Sequence, residues 1–157
     1  MKHEIVSFRN SIAKLALVMT SLISTGAFAS SMFTTEKFWF KSSGKYLSGI
    51  ISRPKNIKVN AIVIIVHGYG RTNVVEDDWY HEFRSKFTSK GISVLVWDKP
   101  GCGKSEGEFD INQPVASSAD EVVSAMCALR KEKEAGSDQI GLWGGSRAGW
   151  IAPLQSL

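Results

Sequence analysis

The chain has 157 residues, of which 43% are hydrophobic, 10% aromatic and 22% charged. That mixture belongs to an ordinary globular protein of about one domain, and it excludes disordered, collagen-like and coiled-coil classes. The formal charge is only +4, half of it from Lys2, Arg9 and Lys14 less Glu4, so no basic stripe suits a nucleic acid.

Residues 1–29 carry the pattern of a secretory signal peptide. Positive charge extends to Lys14, an apolar run follows from Leu15 to Ile23, and Ala27-Phe28-Ala29 forms an A-x-A cleavage site. The run is about nine residues long, whereas a membrane-spanning helix needs roughly twenty. The expectation is therefore a cut after Ala29, export to a periplasm or the outside, and no stable membrane anchor. Residue 30 is Ser rather than Cys, so nothing indicates a lipid-modified N-terminus. Cleavage leaves 128 residues from Ser30 onward, enough for a single core.

Strands are expected at Thr34–Lys41 and Lys45–Ser52, separated by a turn at Ser42-Ser43-Gly44, with Pro54 closing the second. Ala61–Val66 (AIVIIV) is continuously apolar and mostly β-branched, as in a strand covered on both faces of a parallel sheet. Ser93–Trp97 (SVLVW) is similar, and Gln139–Trp143 (QIGLW) is a weaker third. Between them lie helical patterns. Glu76–Ser89 spaces Trp79, Phe83 and Phe87 as one aromatic, core-facing stripe, with Asp77 and Asp78 at its start and Gly91 as its stop. Val115–Ala135 follows Pro114 and aligns Ala119, Val122, Val123, Met126 and Leu129, closing at Gly136. Alternating strands and helices of these lengths predict an α/β fold with a mainly parallel sheet and flanking helices.

Each of the three buried strands runs into a glycine-rich loop, where ligand chemistry gathers in open α/β sheets. His67-Gly68-Tyr69-Gly70 follows the first, and its free amides suit an oxyanion hole in which the Tyr69 N–H holds developing negative charge. His67 reads as a residue shaping that loop, with the role of catalytic base as the alternative. Asp98-Lys99-Pro100-Gly101-Cys102-Gly103-Lys104-Ser105 follows the second strand and ends like a phosphate-binding loop. The glycine that such a loop needs is replaced by Asp98, and Pro100 removes an amide donor, so a nucleotide site is disfavoured. Gly144-Gly145-Ser146-Arg147-Ala148 follows the third. Small residues two before and two after Ser146 are what a nucleophile elbow requires, because the serine sits on a sharp strand-to-helix turn. Ala148 stands where the usual pattern has glycine.

HGYG, DKPGCGKSEG and GLWGGSRAGWIAPL, in this order, resemble the α/β-hydrolase superfamily, particularly its bacterial serine esterase and aminopeptidase-like branches. The resemblance spans roughly Phe38 to Leu157. It implies that Ser146 is the nucleophile, that the N–H groups of Tyr69 and Arg147 form the oxyanion hole, and that Asp98 and Gly101 shape a neighbouring loop. It gives Lys104 no chemical role and implies no metal or organic cofactor. The implied substrate is a small-molecule ester or, second, a peptide or amide. Such hydrolases place an Asp or Glu and then a His after the nucleophile. Here Arg147 to Leu157 contains none of these, and His3, His67 and His81 all precede Ser146. The chain thus reads as the N-terminal part of an α/β-hydrolase domain, residues 30–157, stopping after the elbow and inactive alone. The alternative is a non-catalytic module with the front half of the fold.

Arg147 has two readings, a partner for an acidic substrate group or a solvated residue at a helix start. Cys102 and Cys127 lack metal-site spacing, and a bridge between them would need Cα atoms within about 7 Å. Cys127 reads more simply as a small buried hydrophobe beside Met126.

Overall fold

The computed structural model describes residues 33–155; the expected signal peptide lies outside the described residues. Five strands form one sheet in the order β1-β2-β4-β3-β5. They are β1 (Phe33–Ser42), β2 (Lys45–Pro54), β3 (Ala61–Ile65), β4 (Ile92–Trp97) and β5 (Ile140–Trp143). β2 is antiparallel to both β1 and β4, while β3 is parallel to β4 and to β5. Four strands therefore run one way and β2 the other, the mainly parallel α/β sheet that the sequence predicts. The helices are α1 (His81–Thr88), α2 (Val115–Lys131) and α3 (Ala148–Ile151), the last continuing as a 3₁₀ turn, Ala152–Gln155.

Local chemistry explains the elements. Ser42 pairs with Lys45, and the two residues between them, Ser43 and Gly44, have φ 47° and 82°. Positive φ at both central positions suits the tight hairpin that a twisted strand pair prefers. The β-branched runs of β3 and β4 are buried on both faces of the sheet, and successive side chains alternate between them. Ile62, Ile64, Leu95 and Trp97 face α2 and α3, packing with Val122, Leu129, Ala148 and Ile151. Ile65, Val94 and Val96 face the other way with Ile50 and Val74, against Tyr80, Phe87 and Trp143.

The expected helix from Glu76 is corrected. Asp78 and Tyr80 take φ 51° and 63°, so α1 starts at His81. The side chains that α1 buries are Arg84 and Thr88, not an aromatic stripe. Trp79 and Phe83 are 45% and 41% exposed, and Phe83 stacks on Trp143 with ring centroids 4.4 Å apart. Arg84 is buried with its two terminal nitrogens partnered: it pairs with Asp78, donates to Ser52 Oγ at 3.0 Å and lies over the Phe33 ring, while its Nε has no hydrogen-bond partner among the described residues. α2 ends at Lys131, before the expected Ala135, and Val123 points to solvent. Both cysteines are free, and Cys127 is exposed rather than buried.

Candidate active site

The elbow is built by the approach of two strand ends. Beyond the β3–β5 pairing, the Val66 N–H donates to Trp143 O at 2.8 Å. The chain then turns through Gly144 and Gly145 into α3, with Ser146 at the bend. Ser146 adopts φ 57°, a left-handed conformation that a residue with a side chain adopts only when its surroundings impose it. Its side chain is exposed. The turn is closed by Ala148 N–H to Gly145 O at 3.2 Å and Gly149 N–H to Ser146 O at 3.0 Å.

The small residues flanking the serine have a measurable reason. A Cβ on Gly144 would stand 2.5 Å from the Ala148 Cβ and 2.7 Å from Val66 O. Both distances are impossible for real carbon atoms, so residue 144 must lack a side chain. Ala148 is 1% exposed and belongs to the core against α2, which is why its extra methyl over glycine is tolerated.

The HGYG loop lies beside this bend: a Cβ on Gly68 would be 3.7 Å from Gly145 O. Tyr69 projects its ring to solvent, 64% exposed. The loops after β3 and after β5 are thus brought together as the sequence predicts. His67 points the other way, into the core, with its ring edge-on to Trp97 at 5.0 Å. Burial, then the nearby Lys99 charge, lowers its imidazole to about 3. His67 is therefore neutral at pH 7 and far too weak a base for a serine proton. His81 is exposed and hydrogen-bonded through Nδ1 to Asp78 Oδ2 at 2.7 Å, against Phe33 of β1, at the opposite edge of the sheet from β5.

The loop after β4 is a tight ring rather than a phosphate cradle. Asp98 is fully buried, and its Oδ1 accepts from Val75 N–H at 3.1 Å. Burial raises its carboxyl above the usual range. Ser105 Oγ donates to Asp98 O at 2.6 Å and accepts from Ser48 N–H at 2.9 Å. Gly101, at φ 68°, turns the chain so that its N–H reaches Glu106 O. Lys104 is exposed beside Glu76.

Sequence reasoning missed a buried polar group under the site. Lys99 is 8% exposed, and its ammonium donates to Gly68 O and Gly70 O, each at 2.7 Å. Glu121 of α2 is buried, accepting from Trp97 Nε1 at 3.1 Å and Gln113 Nε2 at 2.6 Å. Burial pushes its carboxyl up and the Lys99 ammonium down. Arg147 is not the solvated helix-start residue of one sequence reading: its guanidinium turns inward and donates to Gln113 O. A cavity of about 10 Å³, the size of one water molecule, lies among His67, Lys99, Glu121 and Arg147. The signal available in the sequence was a lysine two residues beyond the buried end of the largely apolar β4, behind an equally buried Asp98.

No group of three or more His, Cys, Asp or Glu is placed to hold a metal among the described residues, and none of their helices is long and apolar enough to cross a membrane.

Comparison with known proteins agrees with this geometry. Residues 57–154 match the family model described as Hydrolase_4, serine aminopeptidase S33. A 31.7 kDa uncharacterised protein from the traX–finO intergenic region of Escherichia coli is 32% identical over 95 residues, 60% of this chain and 31% of that protein. The chain thus spans about a third of the length of the curated relative it matches. Among solved structures, the Pyrococcus furiosus esterase Pf2001 is similar at TM-score 0.62 and 22% identity, covering 76% of this chain and 46% of that one. The α/β-hydrolase GrgF from Penicillium sp. sh18 gives TM-score 0.60 and 22% identity over 71% and 37%. Est1E from Butyrivibrio proteoclasticus, solved with ferulic acid, gives 0.61 and 19% over 76% and 48%. These three show the α/β-hydrolase fold.

Proposed function

The chain belongs to the serine aminopeptidase S33 family of α/β-hydrolases, and from that premise we propose that it cleaves a small acyl substrate through an acyl-serine on Ser146. Esters are the first substrate class and peptides or amides the second; the esterase name borne by a structural neighbour favours that order. The observation that carries the reading is an exposed serine held at φ 57° between a central-sheet strand and a helix, with no room for a side chain at residue 144.

In the proposed reaction, Ser146 Oγ attacks the acyl carbon while its proton passes to a general base. The carbonyl oxygen becomes an oxyanion, held by the Tyr69 and Arg147 backbone N–H groups. Collapse breaks the bond to the leaving alkoxide or amine, which takes that proton. Water then attacks the acyl-serine, gives its proton to the same base and releases the acid, and Ser146 recovers its hydrogen. The acid and base follow the nucleophile in this chain order, so the reading takes both from outside the described residues. His67 is too deeply buried and His81 too far across the sheet to serve.

A fluorophosphonate probe applied to the full-length protein tests the reading. Labelling should map to Ser146, and Ser146→Ala should lower ester hydrolysis by about 10⁴-fold or more. A label elsewhere, or a fully active Ser146→Ala, ends it. The proposal includes export, supported by residues 1–29 alone; an exported protein that begins at Met1 rather than Ser30 removes that part.

A further inference from the structure

Lys99 has no obvious claim to burial. Desolvating an ammonium is costly unless partners replace water, and none of the ion pairs among the described residues includes it. Its two hydrogen bonds go instead to neutral carbonyls of a single loop, Gly68 O and Gly70 O. Those two carbonyls bracket Tyr69.

Peptide geometry gives the bracket a consequence. Gly68 C=O and Tyr69 N–H belong to the same peptide unit, and a trans peptide points them in opposite directions. No described peptide bond is cis. Drawing Gly68 O inward onto the ammonium therefore turns the Tyr69 N–H outward, on the loop that lies against Gly145 at the elbow. Holding Gly70 O as well fixes the Gly70–Arg71 peptide unit, so the loop is pinned on both sides of Tyr69 and has less freedom to rotate the first plane away. A cation on the carbonyl also polarises the peptide, which strengthens the same N–H as a donor.

We infer that Lys99 is the positioning residue of the oxyanion hole, fixing the peptide plane that aims the Tyr69 N–H at the acyl oxygen. Resting on the acyl-serine reading, this inference assigns Lys99 no contact with substrate. It separates Lys99 from Lys104, the solvent-exposed lysine of the same loop, and gives the apolar β4 strand a purpose at its end: it delivers the ammonium beneath the glycines.

The test compares Lys99→Met with the full-length wild type. An oxyanion donor is worth about 10²–10³-fold in kcat, and freeing its peptide plane should lose a large part of that, about 10–100-fold in kcat with KM within twofold. Lys99→Arg, which keeps the charge and donors, should recover part of the loss, whereas a space-filling role would be rescued by Met. A folded Lys99→Met protein with wild-type kcat overturns the inference. A second measurement needs no variant. In wild-type protein the ¹³C carbonyl resonances of Gly68 and Gly70 should move with the Lys99 ¹⁵Nζ resonance as the ammonium is titrated, and carbonyls that ignore it overturn the inference whether or not the variant folds. If the wild type neither hydrolyses esters nor labels at Ser146, the acyl-serine reading fails on its own, and the carbonyl resonances still decide whether Lys99 holds the loop.

Discussion

The two faces of the sheet are covered by different means. The face under α2 and α3 buries a cluster of fifteen side chains, among them Ile64, Leu95, Trp97 and Val122. The opposite face buries a cluster of five beneath the eight-residue α1, where Arg84 is sunk inward while Trp79 and Phe83 stay in partial contact with solvent. The elbow belongs to the first face: Ala148 and Ile151 of α3 are members of the large cluster. Backbone strain at Ser146 persists only where its surroundings over-determine it, and that surrounding is the tightly packed side. The aromatic side contributes surface, not constraint.

Mutations can break or sharpen this contrast. Leu95→Ala, in the large cluster, should cost about 2–5 kcal/mol in urea unfolding. Gly144→Ala comes next: its new methyl meets the Ala148 Cβ and Val66 O, and overpacking of this kind costs about 1–3 kcal/mol. Ester hydrolysis should fall with it, and a stable, fully active Gly144→Ala would deny the crowding at the bend. His67 supplies a pH-dependent effect on the same face. Its folded value of about 3 lies below the ordinary imidazole value of 6.5, so between these the unfolded chain binds a proton that the folded chain refuses. Stability should then rise with pH across that window, by about 1.4 kcal/mol per pH unit from this group. His67→Gln should flatten the slope; an unchanged slope would mean that the imidazole is open to water. Smallest of all, Phe83→Ala on the aromatic face should cost about 0.5–1 kcal/mol, the stacking on Trp143 being the main loss. Equal losses from Leu95→Ala and Phe83→Ala would erase the contrast between the faces.

What the sequence revealed follows the same division. β-branched runs and the glycines after them are local signals, and they located the strands, the two loops that meet and the elbow serine. The α1 region misled because periodicity counts side chains, not backbone turns: left-handed conformations at Asp78 and Tyr80 delay the helix, so Trp79 and Phe83 turn to solvent and only Phe87 of the stripe still packs on the core. Burial of Arg84, Lys99 and Glu121 was invisible for another reason. Charged residues are normally read as surface, and the partners that hold these three inside, among them Ser52 for Arg84, Gly68 and Gly70 for Lys99 and Trp97 for Glu121, come together only in the fold. Arg147 likewise finds Gln113, a residue that no spacing rule connects to it.

The loops after β3 and β4 are laced at several points: Lys99 to Gly68 and Gly70, Arg71 to Gly101 O at 2.9 Å, and Gly103 N–H to Asn73 Oδ1 at 3.1 Å. Stitches from both sides mean that neither strap can open while the other stays shut, since either excursion breaks the shared set. In amide exchange the pair should therefore behave as one cooperative unit with a common opening free energy, and whatever docks at the rim would meet a single stiff margin.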